Sequence, residues 1–285
     1  MKLSELRQLL RTHGIRPSRA LGQNFLHDAN LVRKILETAE VRCGDRILEI
    51  GPGLGALTRP MLDRGAQVRA IEKDRRLAEI LQTKLQGRPG WELVVEDAVC
   101  YLRGHRQEDW SGWKCVSNLP YSAGSSILVE LAFLSRPPWT LTVTVQKEVA
   151  ARLMAPPGTP DYGLLTVLVQ IRYEPQAHFP VPRTCFYPVP EVESTCLHLK
   201  LRPEPLLPAP ELPAFAQFVK ACFSERRKQL GTLLRRRFPR VPWPDLLEKL
   251  EIPSQIRAEA LPISAFVRLY SAIASQGGLR HDPSQ

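Results

Sequence analysis

The sequence predicts an α/β protein, with a parallel, doubly wound sheet covered by helices on both faces and a smaller all-helical C-terminal domain. Three observations carry that prediction. From about residue 30 to 150, short apolar runs alternate with stretches of helical periodicity. Arg202 to Pro213 contains five prolines and cannot hold regular structure, so it marks a domain boundary. Beyond it the chain is helical: Ala214 to Phe238 reads as one amphipathic helix, and shorter helical pieces follow up to about Ala274. The expected parts are a basic N-terminal extension over 1–27, an α/β body over 28–202 and a helical domain over 203–285.

Within the body, Arg46–Ile50 is a short apolar strand that ends in a glycine turn, and Ala56 to Arg64 has a helical pattern. Val68–Glu72 is a second strand, followed by a helix from Arg75 to Gln86. Glu92–Val95 and Lys114–Ser117 are the third and fourth strands, and Leu141–Val145 is a fifth that leads into a helix from Gln146 to about Met154. Ala155–Pro160 is a loop, and Tyr162 to Leu201 supplies more strand-like sequence. Sheets of this kind bind ligands beyond the carboxyl ends of their strands, which is where the residues with chemical character fall.

Composition excludes several classes. With 285 residues, 44% hydrophobic and 24% charged, the chain can bury one substantial core and a second, smaller one. No apolar run approaches the roughly 18 residues of a membrane span, and the N-terminus lacks the continuous apolar core of a secretory signal. The six cysteines form no C-x-x-C pair and the six histidines no H-E-x-x-H, so a reducing cytoplasm and no structural metal are expected. The net charge of +10 is unevenly spread: residues 1–27 hold five Lys/Arg against one acid, and 205–285 hold twelve against seven. The ends therefore carry +4 and +5, and the middle +1. A near-neutral body with basic ends suits a catalytic domain flanked by nucleic-acid-binding segments, although a run such as Arg235-Arg236-Arg237 also suits a solvated helix face.

Two loops carry the chemistry. Gly51-Pro52-Gly53-Leu54-Gly55 follows the first strand of the body, and Gly51-x-Gly53-x-x-Ala56 also satisfies the dinucleotide fingerprint. On that loop alone, a nicotinamide or flavin enzyme and a methyltransferase fit equally. Glu72, twenty-one residues after Gly51, suits the ribose hydroxyls of either cofactor. Glu49 before the turn, the third glycine at 55 and Asn118-Leu119-Pro120-Tyr121 after the fourth strand favour methyl transfer. The exocyclic amine of adenine is a poor nucleophile because its lone pair is delocalised into the ring. An Asn side-chain oxygen and the carbonyl of the next residue can accept both amine hydrogens and favour a tetrahedral nitrogen. Pro120 stiffens the turn without adding a donor, and Tyr121 offers a flat face for the base.

Over nearly its full length the chain resembles the ribosomal RNA adenine N6,N6-dimethyltransferases of the small-subunit branch. The matching segments run in the family's order. They are Gly22-Gln23-Asn24-Phe25-Leu26, Glu49 through Thr58, Glu72-Lys73-Asp74, Asn118 through Tyr121, Gln146 through Ala150, Asp161-Tyr162-Gly163, Phe186-x-Pro188-x-Pro190-x-Val192-x-Ser194 and Arg226-Arg227-Lys228. The resemblance implies a Rossmann-like class I S-adenosylmethionine-dependent methyltransferase fold. It implies that Asn24 and Leu26 close over S-adenosylmethionine, that Gly51, Gly53 and Gly55 approach its methionine part, and that Glu72 holds the ribose and Asp97 the adenine edge. Asn118 would lie between cofactor and substrate, with Leu119 and Pro120 shaping its loop and Phe186 sandwiching the flipped adenine against Tyr121. Asp97 also suits a helix N-cap.

The implied activity is methyl transfer to N6 of two adjacent adenosines near the 3′ end of small-subunit ribosomal RNA, by a cytoplasmic monomer acting on a pre-ribosomal small subunit. Arg226, Arg227, Lys228, Arg235, Arg236 and Arg237 would contact RNA phosphates. Two alternatives share these loops: a large-subunit RNA dimethyltransferase, and a ribosome-assembly or mitochondrial transcription factor that works by binding alone. The chain departs from common family wording at Leu21, Ser122, Ser126 and Glu191. Glu191 reverses a frequent Lys beside the expected path of a polyanion, which argues against a phosphate contact there.

Overall fold

The computed structural model describes residues 2–225, 228–239 and 241–275. They form two compact units, one of residues 2–150 with 173–201, the other of the described residues of 151–172 and 202–275. The boundary differs from the one expected from the prolines alone. Residues 151–172 leave the α/β body and join the helical unit, and 1–27 belong to the first unit.

The first unit opens with α1 (Leu3–Thr12), β1 (Phe25–Leu26) and α2 (Ala29–Thr38). Five parallel strands follow: β2 (Arg46–Ile50), β3 (Gln67–Glu72), β4 (Trp91–Val95), β5 (Trp113–Asn118) and β6 (Thr140–Gln146). Between them lie α3 (Thr58–Asp63), α4 (Arg75–Lys84), α5 (Ala98–Gly104) and α6 (Gly124–Ala132), and α7 (Lys147–Met154), whose residues from 151 on belong to the second unit, follows β6. β7 (Tyr173–Val181), β8 (Phe186–Tyr187) and β9 (Ser194–Leu201) complete the unit. The seven-stranded sheet has the order β4-β3-β2-β5-β6-β9-β7, and β1 and β8 form a separate antiparallel ribbon. The central strands β5 and β6 are buried almost throughout, as befits a sheet covered on both faces.

The sheet is mixed, which corrects the all-parallel expectation. β9 runs antiparallel to β6, and β7 antiparallel to β9. No crossover helix separates β7 from β9, and without one a returning strand can only pair antiparallel. β7 carries Pro175 and Pro180 and lies at the sheet edge, where a missing N–H is tolerated.

The order reverses direction between β2 and β5, and there the ladder opens. Pairing between them runs from Arg46 opposite Trp113 to Leu48 opposite Cys115, and goes no further. Past that point the buried Ser117 hydroxyl accepts the Ile50 N–H at 2.9 Å, replacing the carbonyl that a continued ladder would have offered. The two strands stay joined while their carboxyl ends part into a crevice.

In the second unit the described residues are helical: α8 (Leu164–Gln170), α9 (Leu212–Cys222), α10 (Leu230–Arg237), α11 (Trp243–Lys249) and α12 (Ile263–Ser275). α8 falls in a stretch expected to be strand-like. Its run Leu-Leu-Thr-Val-Leu-Val is apolar all round, and periodicity cannot separate a buried helix from a buried strand. Thr166 decides locally, accepting the Gly163 N–H at 3.1 Å and donating to the Arg152 carbonyl at 2.7 Å. The single helix expected over Ala214–Phe238 is two. The chain leaves the helix after Cys222, where the Ser224 hydroxyl turns back to the Ala221 carbonyl, and Gln229 is extended before α10 begins. Aromatic rings fill this unit's core, with Phe215 edge-on to Tyr270 at 5.5 Å and Phe223 beside Phe266 at 5.6 Å.

Ser117→Ala would leave the Ile50 N–H buried without an acceptor, at a cost of about 1–3 kcal/mol. Urea unfolding of the variant should show that loss with an unchanged slope.

Candidate active site

A cleft of about 1060 Å³, open mouth included, lies at the carboxyl ends of β2, β3, β4 and β5 in the first unit. Asn24, Leu26, Gly51, Gly53, Glu72, Asp97 and Asn118 all line it, as do Glu49, Lys73 and Pro120. Residues spread over ninety-seven positions of sequence, Asn24 to Pro120, therefore converge on one cavity.

The glycine turn and the Asn118 loop touch. Gly51 has φ +68°, and a Cβ there would come within 3.5 Å of the Pro120 ring and 3.9 Å of the Asn118 carbonyl. Glu72, at the end of β3, braces the turn from the other side. One of its oxygens accepts the Gly53 N–H at 3.1 Å and the other the Asp74 N–H at 2.9 Å. Burial pushes the Glu72 carboxyl above the ordinary range, against the pull of these amides. Glu72 is thus both a wall of the cleft and the strut that shapes it.

Glu49 is more strongly perturbed. It is 2% exposed, one of its oxygens has no hydrogen-bond partner, and burial, reinforced by the charge of Glu72, pushes its carboxyl up to about 8. Asn118 donates its amide N–H to the Asn24 carbonyl at 3.1 Å, while its side-chain oxygen is buried without a partner. Two orphaned acceptors, one a carboxyl oxygen and one an amide oxygen, therefore sit on residues lining the same cleft, and they suit a ligand with a cation and a donor amine.

The N-terminal strap is fastened at several points. The Gln23 side chain donates to Asp74 at 3.0 Å and accepts the Ser18 N–H at 2.8 Å, and Asp74 caps α4 while paired with Arg76. The Arg76 guanidinium holds the Asp74 carboxyl below the usual range. Gly22 passes so close to the Asn118 loop that a Cβ would lie 2.8 Å from the amide nitrogens of both Tyr121 and Ser122, at φ +62°. Leu119 is buried, and its N–H bonds to the Thr144 carbonyl at 3.1 Å. The Tyr121 hydroxyl meets the buried Ser194 hydroxyl, so the fourth-strand loop and the last residue of the Phe186–Ser194 motif are directly joined.

Leu119 and Tyr121, unlike their neighbours Asn118, Pro120 and Ser122, do not line the cleft, and three more expected site residues stand differently. Gly55 does not line the cleft; a Cβ there would strike Leu81 of α4 at 2.8 Å, so it serves the packing of turn on helix. Phe186 is 1% exposed within the main apolar cluster, opposite Leu26 in the β1–β8 ribbon, which is no position for a stacking face. Asp97 does line the cleft, but it also caps α5, accepting the Val99 and Cys100 N–H groups at 2.9 and 3.1 Å, and pairs with Lys73 at 2.9 Å. The Lys73 ammonium in particular holds its carboxyl below the usual range. Gly22, Gln23 and Ser194 carry no sign of these contacts in the sequence beyond their place in the Gly22–Leu26 and Phe186–Ser194 motifs.

In the second unit, Arg235, Arg236 and Arg237 are exposed in the last turn of α10, where cations also complement the helix dipole. Arg235 bonds the Gly231 carbonyl and Arg236 pairs with Glu225. Lys228 is exposed, and Arg226 and Arg227 lie outside the described residues. Among the described residues, no helix is long and apolar enough to cross a membrane.

Sheet order, the glycine turn at the switch point and the carboxylate ending the next strand define a Rossmann-like fold, and its likeness to solved methyltransferases makes it a methyltransferase fold of class I. A solved dimethyladenosine transferase from Plasmodium falciparum shares the fold, with a TM-score of 0.74 and 23% identity over 89% of this chain and 98% of that one. A solved 23S rRNA methyltransferase, ErmE, gives a TM-score of 0.63 with 31% identity over 88% of this chain and all of the other. The family model described as ribosomal RNA adenine dimethylase matches residues 15–275, and the chain belongs to that family. Its curated relatives include the ribosomal RNA small subunit methyltransferase A of Pelotomaculum thermopropionicum, 40% identical over 96% of this chain and 97% of the relative.

Two outcomes follow from this geometry. Gly22→Ala, whose Cβ meets backbone that cannot swing aside, should lower the melting temperature and reduce cofactor affinity, as differential scanning calorimetry and titration calorimetry would show. Glu49 holds its proton in the folded chain up to about pH 8, whereas an ordinary carboxyl releases it near 4.5. Between those values the folded state binds more protons, so stability falls as pH rises through that window and levels off above it. Glu49→Gln should flatten this part of the stability profile.

Proposed function

We propose that this protein transfers methyl groups from S-adenosylmethionine to N6 of two adjacent adenosines near the 3′ end of small-subunit ribosomal RNA, working as a cytoplasmic monomer on a pre-ribosomal small subunit. The observation that carries the reading is the buried, unpartnered side-chain oxygen of Asn118 beside the glycine turn. The greater identity to a small-subunit enzyme than to the solved 23S enzyme supports the choice of RNA.

The residues present fit the cofactor. Glu72 would hold the ribose hydroxyls with the lone pairs its two backbone donors leave free, and Gly51 and Gly53 would let the methionine part approach the turn. Asn24 and Leu26 would cover it, and Asp97 would meet the adenine edge by sharing the oxygen now paired with Lys73. When bound, S-adenosylmethionine supplies a methyl group already activated on a sulfonium. The protein's share of the work is then positioning and the exclusion of water.

The Asn118 oxygen and the Leu119 carbonyl accept the amine hydrogens and turn the nitrogen lone pair toward the methyl group, and the displaced proton passes to solvent. Tyr121, anchored through Ser194, stacks the base. With Phe186 buried, its contribution is to hold β8 against β1 rather than to form the opposite face. Lys228 and Arg235 to Arg237, with Arg226 and Arg227, contact phosphates.

Titration calorimetry should show binding of S-adenosylmethionine and none of NAD; the reverse would sink the reading. Labelled cofactor should mark undermethylated small subunits and not large ones. Asn118→Ala should slow both methylations by about 10²–10³-fold while leaving RNA affinity nearly unchanged. Tyr121→Ala should accumulate monomethylated adenosine, read by mass spectrometry of digested RNA. Phe186→Ala should chiefly cost stability, about 3–5 kcal/mol.

A further inference from the structure

The basic charge of the N-terminal region has a fixed place in the first unit. α1 buries Leu6 and Leu10 in a cluster with Phe25, Leu54, Leu77 and Ile80, three of which, Phe25, Leu54 and Leu77, also line the cleft. The helix is part of the wall behind the site. With its apolar side turned inward, Arg7 and Arg11 stand exposed one turn apart, and Arg16 follows, also exposed. Glu5 is the only acid between Lys2 and His27.

The strip meets the site at its border. The Arg7 guanidinium lies over the Tyr187 ring at 5.1 Å, and Tyr187 pairs with Phe25 in the β1–β8 ribbon. Asn24 and Leu26, on either side of Phe25, line the cleft. Arg19 continues the strip but is paired with Glu191 at 3.4 Å, both side chains largely exposed.

We propose that Arg7, Arg11 and Arg16 form a track that seats the RNA sugar-phosphate backbone beside the adenosine delivered to Asn118, and that Glu191 withholds Arg19 from it. The proposal rests on the reading of the protein as an RNA methyltransferase. The occupant follows from the chemistry of the face. It is cationic, and none of the exposed large hydrophobic residues lies on α1, whereas a protein partner would need an apolar centre to the interface. Nucleic-acid interfaces are polar and strongly positive. Glu191, in place of a frequent cation, then acts by occupying a neighbouring arginine.

The test compares wild type with three variants: Arg7→Gln/Arg11→Gln/Arg16→Gln, the same three positions changed to Lys, and Glu191→Gln. Binding to a naked small-subunit RNA fragment and to undermethylated small subunits is measured across a salt series. Each phosphate contact contributes about 0.7–0.9 to the log-log slope. The triple Gln variant should therefore lose about two units or more of slope and at least tenfold in RNA affinity, with S-adenosylmethionine affinity unchanged. The Lys variant should keep the slope, and Glu191→Gln should steepen it by somewhat less than one unit. An unaltered slope in the Gln variant overturns the track alone. Weakened subunit binding with normal naked-RNA binding assigns the face to a protein contact and also overturns it. A wild-type protein that binds no RNA overturns the functional reading, and the track with it.

Discussion

The parting of β2 from β5 is the constraint on which the rest of the site depends. Parallel strands normally continue their ladder to the end, and a glycine turn or an asparagine loop placed there would have to share the same space. Here pairing stops at Leu48 and Cys115, and one side-chain hydroxyl, that of Ser117, takes the next amide. The turn after β2 and the loop after β5 are thereby brought side by side, close enough that Gly51 abuts both Asn118 and Pro120. Strand order creates the crevice, and the chemistry of the two loops decides what it can hold.

Around that crevice the structure is tied by few, specific bonds rather than by bulk. Glu72 links the end of β3 to the turn, Gln23 links the N-terminal strap to the cap of α4, and Ser194 links β9 to Tyr121. Each joins segments far apart in sequence. That is a physical reason for the motifs to occur together: removing one leaves a polar group of another without its partner.

Much of the fold was legible in the sequence because the parallel strands are short, apolar and bounded by turns, and the five expected strands match those observed to within a residue or two. What escaped was decided by tertiary context. Leu164–Gln170 is apolar on every side and could be either element, the direction of β9 depends on the absence of a crossover, and the break after Cys222 has no proline or glycine to announce it. In the site, Gly51, Gly53, Glu72, Asn118, Asn24, Leu26 and Asp97 were found from residue type, spacing and resemblance, and all reach the cleft. Gly55, Leu119, Tyr121 and Phe186 do not line it, because spacing gives no sign of whether a side chain faces a cavity or a core. Gly22 could not be weighed at all from sequence, since its importance lies in the backbone of residues a hundred positions away.

The cleft also shows how stability and binding oppose one another. Glu49 and Glu72 are both buried, the charge of Glu72 adds to the difficulty Glu49 has in ionising, and in the free chain Glu49 has an oxygen with no partner. Glu72 serves the fold by accepting two backbone N–H groups, but nothing about folding alone favours a second acid, Glu49, buried near it with an unpartnered oxygen. A cationic occupant changes the balance. With the sulfonium cofactor proposed above in place, its positive charge favours the ionised carboxyl groups that burial disfavours, so the energy withheld from folding is returned on binding.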